Sequence, residues 1–337
     1  MLKPASIRPA SIRDVAREAG VSISTVSRAL RGYSDVNAGT RARVEETARN
    51  LGYTPDAAGQ ALKSGRTGTV AVLVSGRHGP ALLDAFYAEV LGGLEAHFSA
   101  HDLSLLLLRA GSGNAERLLL QSGRCDGVIA LGCDLPAAFL QALQARSVPL
   151  VLTDSESFSA SVPSVTVANE AGGYDAARHL LGNGRQRLAF VAETPDDPNF
   201  SLRRQGFLRA HADSGLTVPA ERLQAGTLGP AGGYLATKKL LERADFDAIF
   251  AANDTAAFGA IRALGEVGRR VPEDVALVGF DDIALARYSQ PPLTTLQVPR
   301  QAMGRQAATC LTGLLSGQTP SDLELPVSLV VRDSSGA

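Results

Sequence analysis

Beyond residue 68 the chain is punctuated by short apolar runs that alternate with helical patterns. TVAVLV, LSLLLL, GVIALG and PLVLT form a first set of strands, and LAFVAE, DAIFAA and VALVGF a second. Between them lie amphipathic segments such as 84–100, 170–181 and 255–265. Continuous apolar strands joined through helices belong to parallel sheets covered on both faces. Two such sets predict two α/β lobes. Ligands of open α/β sheets sit beyond the carboxyl ends of the strands. That rule selects Asp154 after PLVLT, Asn253 after DAIFAA and Asp281 after VALVGF, with Arg203 of RRQGF at the start of a helical segment. Carboxylates, an amide and a guanidinium converging on one cleft suit a polyol, because each binds paired hydroxyls. The same residue types are also ordinary helix caps and surface charges.

The segment 11–32, SIRDVAREAGVSISTVSRALRG, has a different character. Ile12, Val15, Ala16 and Ala19 form an i, i+3, i+4, i+7 stripe. Gly20 can adopt the left-handed conformation that ends a helix, and Ser22 can cap a second one. In that second helix Val26, Ala29 and Leu30 point inward. Ile23, Ser24, Ser27 and Arg28 are then left outside, near the N-terminal end. A helix-turn-helix presents that face to the DNA major groove, where Arg forks onto guanine and an apolar side chain meets a thymine methyl. An ordinary helical hairpin would share these features. A third helix is predicted within 36–53, capped by Asn37, with Val44, Thr47, Ala48 and Leu51 inward and Gly52 at its end.

These segments together resemble the lactose/galactose repressor family of bacterial transcription regulators, over about residues 11–334. DVAREAGVS-x-x-TVSRAL, ETARNLGYTPDAA, IFAANDTAAFGAIRAL, RRVPEDVALVGFDDI and PPLTTL carry the resemblance. It implies an α plus α/β protein. A flexible arm (1–10) precedes a three-helix helix-turn-helix head (11–53) and a hinge (54–67). The rest (68–337) is a two-lobed body, like periplasmic sugar-binding proteins, for effector binding and dimerisation. One lobe is expected at about 67–167 and 296–322, the other at about 168–295 and 323–337. The resemblance places DNA contacts at Ser11, Ser22, Ile23, Ser24, Thr25, Ser27, Arg28, Asn37 and Thr40, with Ile23 and Ser24 at the main specificity positions. Its hinge contacts map to Ala61, Leu62 and Lys63, with Leu62 the wedge between base pairs of the minor groove. Its effector contacts map to Phe86, Asp154, Arg203, Leu228, Asn253 and Asp281. The implied partners are pseudo-palindromic operator DNA, a small effector and a second copy of the chain.

Charge agrees with that division. Residues 1–66 hold 11 Lys and Arg against 6 Asp and Glu, and the remainder holds 22 against 28. A basic head on an acidic body concentrates phosphate attraction at one end. A chain of 337 residues is long enough for two or three domains. MLKPASIRPA lacks the apolar core of a signal peptide, and Leu105–Leu108 is far too short to span a bilayer. The three cysteines are few, odd in number and unpaired in spacing, which suits a reducing cytoplasm, while the resemblance implies nucleoid association.

The hinge segment, DAAGQALK after Pro55, is helix-permissive but too short to be stable alone, which suits folding on DNA. A plain flexible tether is the alternative. Gly59 stands where the family more often has Ala, at a cost of roughly 1 kcal/mol to a helix. In the body, Leu228 stands where relatives often place a stacking aromatic, and Ala168 replaces a frequent Asp. With no Trp in the chain, a sugar is favoured over a purine. Enzymatic motifs are missing: there is no G-x-S-x-G, Walker A or G-x-G-x-x-G. His97 and His101 have a spacing that can bind a metal, but no third ligand is evident and solvated helix-end residues fit better. Neither a cofactor nor a metal is expected. The remaining alternatives are a solute-binding protein without DNA activity and a sugar-modifying enzyme on the same body.

Overall fold

The computed structural model describes residues 10–30, 32–54, 66–75, 81–111, 113–121, 124–133, 135–155, 162–195, 197–227 and 229–336. The chain divides into two compact units, Met1–Thr67 and Gly68–Ala337.

The first unit contains three helices among its described residues: α1 (Ile12–Ala19), α2 (Ile23–Leu30) and α3 (Ala38–Asn50). Val15, Ala16, Ala19, Val26, Ala29, Val44 and Ala48 form its core. Gly20 ends α1 at φ +65°, a region open to glycine at little cost. Leu51, expected inward, is 38% exposed. The helix stops at Asn50, Gly52 reverses the chain, and the Tyr53 N–H donates to Ala48 O at 2.9 Å. Tyr53 therefore packs against the end of the core in place of Leu51.

The second unit holds two six-stranded sheets. The first comprises β1 (Thr69–Val74), β2 (Ser104–Arg109), β3 (Gly127–Leu131), β4 (Leu150–Thr153), β5 (Ser164–Val167) and β11 (Leu323–Leu325). Its order is β11-β5-β4-β3-β1-β2, parallel throughout. The second comprises β6 (Leu188–Ala192), β7 (Leu223–Ala225), β8 (Ala248–Ala251), β9 (Ala276–Asp281), β10 (Thr294–Gln297) and β12 (Ser328–Val330). Its order is β12-β10-β9-β8-β6-β7, with only the edge pair β10–β12 antiparallel. Strands β1, β3, β4, β6, β8 and β9 are buried along almost their whole length, as continuous apolar runs require.

The chain passes between the sheets three times: after β5, after β10 and between β11 and β12. Two expected boundaries shift. The second sheet retains β10 to Gln297, and β11 at 323–325 pairs with β5 in the first sheet rather than joining the second lobe. The register Leu323↔Val165 to Leu325↔Val167 extends the first sheet at its edge before the last crossing.

Helices flank the first sheet as α4 (Ala85–Ser99), α5 (Asn114–Leu119), α6 (Ala137–Ala145) and α11 (Arg300–Leu315). Those of the second lobe are α7 (Asn169–Gly182), α8 (Pro198–Asp213), α9 (Pro230–Arg243) and α10 (Asp254–Glu266). Helices α7 and α8 cross with glycine on both sides. A Cβ at Gly173 would overlap the Arg203 carbonyl, and one at Gly206 the Glu170 carbonyl. Only hydrogen at these positions permits so close a backbone approach. That approach sets Asn169 of α7 beside Arg203 of α8.

Candidate functional site

In the first unit the sequence builds a small polar face at the start of α2. The Ser22 hydroxyl accepts from the Thr25 N–H at 3.1 Å and sits within 2.7 Å and 2.8 Å of the Ser24 and Thr25 hydroxyls. Ile23 is 45% exposed beside them, an apolar side chain left in solvent. Val26 and Ala29 of the same helix are buried, so the exposed face is the one opposite the core. Arg28 is exposed, paired with Asp35 and within 5.8 Å of the Tyr33 ring centroid. Ser11 donates its N–H and hydroxyl to Asp14, at 2.9 and 2.6 Å, which caps α1. Asn37 caps α3 by accepting from the Thr40 N–H at 2.8 Å. Ser11, Asn37 and Thr40 thus have structural partners within the head. Ser27 is half-buried on α2. Ala61, Leu62, Lys63 and Gly59 lie outside the described residues.

In the second unit Phe86, Asp154, Arg203, Asn253 and Asp281 line one cavity of about 580 Å³. Leu228 lies outside the described residues. Phe86 comes from the first turn of α4, which Asp84 caps by accepting the Phe86 and Tyr87 N–H groups at 2.9 and 3.3 Å. Asp154 follows β4 and takes φ +54°, while Asp281 ends β9 at φ +114° and Asp282 follows at +53°. These conformations are uncommon for side-chain-bearing residues and mark a backbone held by its surroundings. Part of that hold is Asp254, buried at the start of α10. It accepts from the Ile283 N–H at 2.8 Å and the Thr295 hydroxyl at 2.5 Å. Arg203 does not begin its helix: α8 starts at Pro198, capped by Asp197. Asn253 caps α10 through its side-chain oxygen, which accepts the Ala256 N–H at 2.9 Å.

A chain of polar contacts runs across the cavity wall. Asn199 Nδ2 donates to Asp154 Oδ1 at 3.0 Å, joining α8 of the second lobe to the end of β4 in the first. Asn169 donates to Asn199 Oδ1 at 3.0 Å, and Arg203 Nε donates to Asn169 Oδ1 at 2.8 Å. Arg203 Nη1 donates to Ala252 O at 2.6 Å, and its guanidinium lies 3.7 Å from the Phe280 ring centroid. Asp281 Oδ1 is 3.6 Å from Arg203 Nη1 and, though buried, has no hydrogen-bond partner. Burial pushes the Asp281 carboxyl up to about 7, against the pull of Arg203 and Arg300. Burial also pushes Asp154 well above the usual carboxylate range, and the Asp197 charge adds to it.

Behind Asp281 stands Arg300, buried in the first turn of α11. It donates Nη1 to Asp281 O, and Nη2 to Asp282 O at 2.9 Å and to Glu89 of α4 at 2.8 Å. The Asp282 carboxylate is held by Arg332 at 2.6 Å and Gln297 at 3.0 Å. Asp282 is therefore engaged in packing and lies outside the cavity lining.

Sequence reasoning did not select Asp84, Glu193, Asp197 or Asn199, which also line the cavity. Glu193 directly follows β6, so the strand-end rule that selected Asp154 applies to it equally. Asp197-Pro198 is a readable helix start. His97 and His101 stack at 4.3 Å, with His97 facing Thr312 and His101 facing the His97 carbonyl. Among the described residues no group of three or more His, Cys, Asp or Glu is placed to hold a metal ion. Nor is any described helix long and apolar enough to cross a membrane.

Residues 11–56 match the family of bacterial regulatory proteins called lacI, and residues 177–335 match the periplasmic binding protein-like domain. The HTH-type transcriptional regulator CelR of Thermobifida fusca is 34% identical over 335 residues, 97% of this chain and 98% of that one. A structure described as a transcriptional regulator CelR–cellobiose complex superposes with a TM-score of 0.75 at 32% identity, covering 96% of this chain and 99% of that one. The lac repressor dimer bound to operator and the anti-inducer ONPF superposes with a TM-score of 0.86 at 27% identity, covering 97% and 99%.

Proposed function

Because the chain belongs to the lacI family of bacterial regulatory proteins, DNA-binding transcription regulators rather than enzymes, we propose that it is a repressor controlled by a sugar-class effector. The observation that carries the effector reading is the convergence of Phe86, Asp154, Arg203, Asn253 and Asp281 on one cavity. Asp154 and Phe86 come from the first lobe and Arg203, Asn253 and Asp281 from the second. A ligand touching both lobes binds one lobe arrangement better than another, and that differential affinity is what shifts the equilibrium. The cellobiose held by one relative supports a sugar.

The DNA reading rests on the α2 face. Ile23, Ser24 and Arg28 read base edges there. Ser22, Thr25 and Ser27, with Ser11, Asn37 and Thr40 at helix starts, complete the contact to the duplex. Ala61, Leu62 and Lys63 supply the hinge contact, with Leu62 the minor-groove wedge. One head reads a half-site, so a homodimer on a pseudo-palindromic operator follows, as in the lac repressor dimer.

The test joins both halves. A thermal-shift screen of sugars and purines identifies the effector. Mobility shift of DNA from the upstream region of the chain's own gene is then measured with and without it. Arg203→Ala and Asp281→Ala should remove the effector response while leaving the protein folded. A full response in both variants refutes the cavity assignment. Arg28→Ala should cost about 1–3 kcal/mol on the operator and relax preference at one base step. Equal weakening on random DNA would make Arg28 a phosphate contact only.

A further inference from the structure

The cavity carries an unusual charge. Asp84, Asp154, Glu193, Asp197 and Asp281 supply five carboxyl groups to its wall, and Arg203 is the one cation among its described lining residues. Arg203 donates hydrogen bonds to neutral acceptors, the Asn169 amide oxygen and the Ala252 carbonyl, and meets Asp281 only as an ion pair at 3.6 Å. Asp84 and Asp197 are helix caps, so the N-terminal ends of α4 and α8 balance part of their charge. Glu193 accepts from the Gly229 N–H at 2.8 Å and from the Thr255 hydroxyl. Asp154 accepts from the neutral amide of Asn199. That leaves Asp281, a residue only 8% exposed, whose buried Oδ1 lies 3.6 Å from Arg203 Nη1 and accepts no hydrogen bond among the described residues.

We propose that this cavity selects a polyhydroxylated effector bearing a protonated amine, of the amino-sugar or amino-alditol class, over its neutral and anionic counterparts. The proposal rests on the effector reading of the same cavity. An unpartnered buried carboxylate oxygen is costly, and a ligand donor removes that cost. A hydroxyl supplies the hydrogen bond but leaves the surplus charge. An ammonium supplies a charge-assisted bond and offsets the charge as well. A phosphate or carboxylate adds like charge to a poorly solvated wall, where Coulomb terms are larger than in water. Phe86, Phe200 and Phe258 line the remainder and offer apolar faces for a sugar ring. The upward shift of Asp281 and Asp154 fits the same imbalance, because their neighbours do not supply enough positive charge to offset burial.

The test uses the whole 337-residue chain and three matched six-carbon polyols that differ only at one terminal carbon. D-glucamine carries an amine there, D-glucitol a hydroxyl and D-gluconate a carboxylate. A second set is D-glucosamine, D-glucose and D-glucose 6-phosphate. Isothermal titration at pH 7 should show amine binding at least about tenfold tighter than the hydroxyl counterpart in one set or both, and no anion binding. Repeating the amine titration in buffers of different ionisation enthalpy should show proton release, which the neutral ligands lack. Asp281→Asn should narrow the amine preference. Three results overturn the proposal: a neutral compound binding as tightly as its amine in both sets, an anion binding best, or no amine binding up to about 50 mM. A neutral sugar that changes operator binding without any amine preference would overturn it too, and leave the effector reading standing. An operator complex that ignores every ligand bound by the cavity would overturn the effector reading instead.

Discussion

Replacing Asp281 by Asn should change how stability depends on pH. The carboxyl rises from an ordinary 3.8 to about 7 in the folded chain, mainly because it is buried. A raised acid holds its proton more tightly in the folded state than in the unfolded one. Well below the unfolded value of 3.8 both states are protonated, and this stabilisation is at its full value and independent of pH. Between about pH 4 and pH 7 the unfolded chain releases the proton first, so stability falls as pH rises. At about 1.4 kcal/mol for each tenfold change in proton affinity, the full loss above pH 7 is about 4 kcal/mol. Roughly 3 kcal/mol of it falls between pH 5 and pH 8. Asn has nearly the same shape and cannot titrate. Urea unfolding of the ligand-free chain, followed by circular dichroism, should show the parent losing about 3 kcal/mol more than Asp281→Asn over that interval. Asp154 and Asp254 titrate in both proteins, but each is raised in part by the Asp281 charge, so the difference measures Asp281 together with its coupling to these two carboxyls. Stability curves that run parallel from pH 5 to pH 8 would refute the reasoning.

Three further outcomes are expected. Gly206→Ala should destabilise the body by about 1–3 kcal/mol despite the better helix propensity of Ala, because the new methyl meets the Glu170 carbonyl and α7 must separate from α8; an unchanged urea midpoint would contradict this. Asn199→Ala removes the donor to Asp154, so the screened effector should bind with about 1 kcal/mol less affinity in calorimetry, and unaltered affinity would place the ligand away from Asp154. Asp35→Asn releases Arg28 from its exposed ion pair and should tighten operator binding by about two- to fivefold in a mobility-shift titration, the scale of a surface pair; weaker binding would give Asp35 a role in the reading face itself.

What could be read from the sequence divides along physical lines. Strands such as β1 and β9 announce themselves because both faces are covered and nearly every residue is apolar. The segments SVTV, LQA and LEL do not, because three or four half-polar residues carry no periodicity. The assignment of 323–325 to the wrong lobe follows from that. Turn chemistry was legible at Gly20 and Asn37, where one residue decides the local conformation. Leu51 fits its stripe by period, yet the chain turns before the stripe can be used. In the cavity, strand-end position found Asp154, Asn253 and Asp281. It passed over Glu193, which was read as the tail of an apolar run. Asn199 had no local signal, since its importance comes from α8 lying against the end of β4. The buried Arg300 was equally silent, being one Arg after a Pro until the fold sets Asp281, Asp282 and Glu89 around it.

That Arg300 contact bears on how variants of this regulator would segregate in a genetic screen. Its guanidinium belongs to a helix of the first lobe, yet it clasps the main chain of two residues in the second, directly behind the carboxylate that faces the cavity. It touches main-chain oxygens and the Glu89 carboxylate, not the cavity lining. Lesions in Arg203 or Asp281 would therefore make the regulator deaf to its effector. Lesions in Arg300 or Glu89 would alter the resting balance between lobe arrangements, so that the regulator hears the signal but answers from a different baseline. The two classes would lie on opposite sides of a single backbone segment, a few ångströms apart.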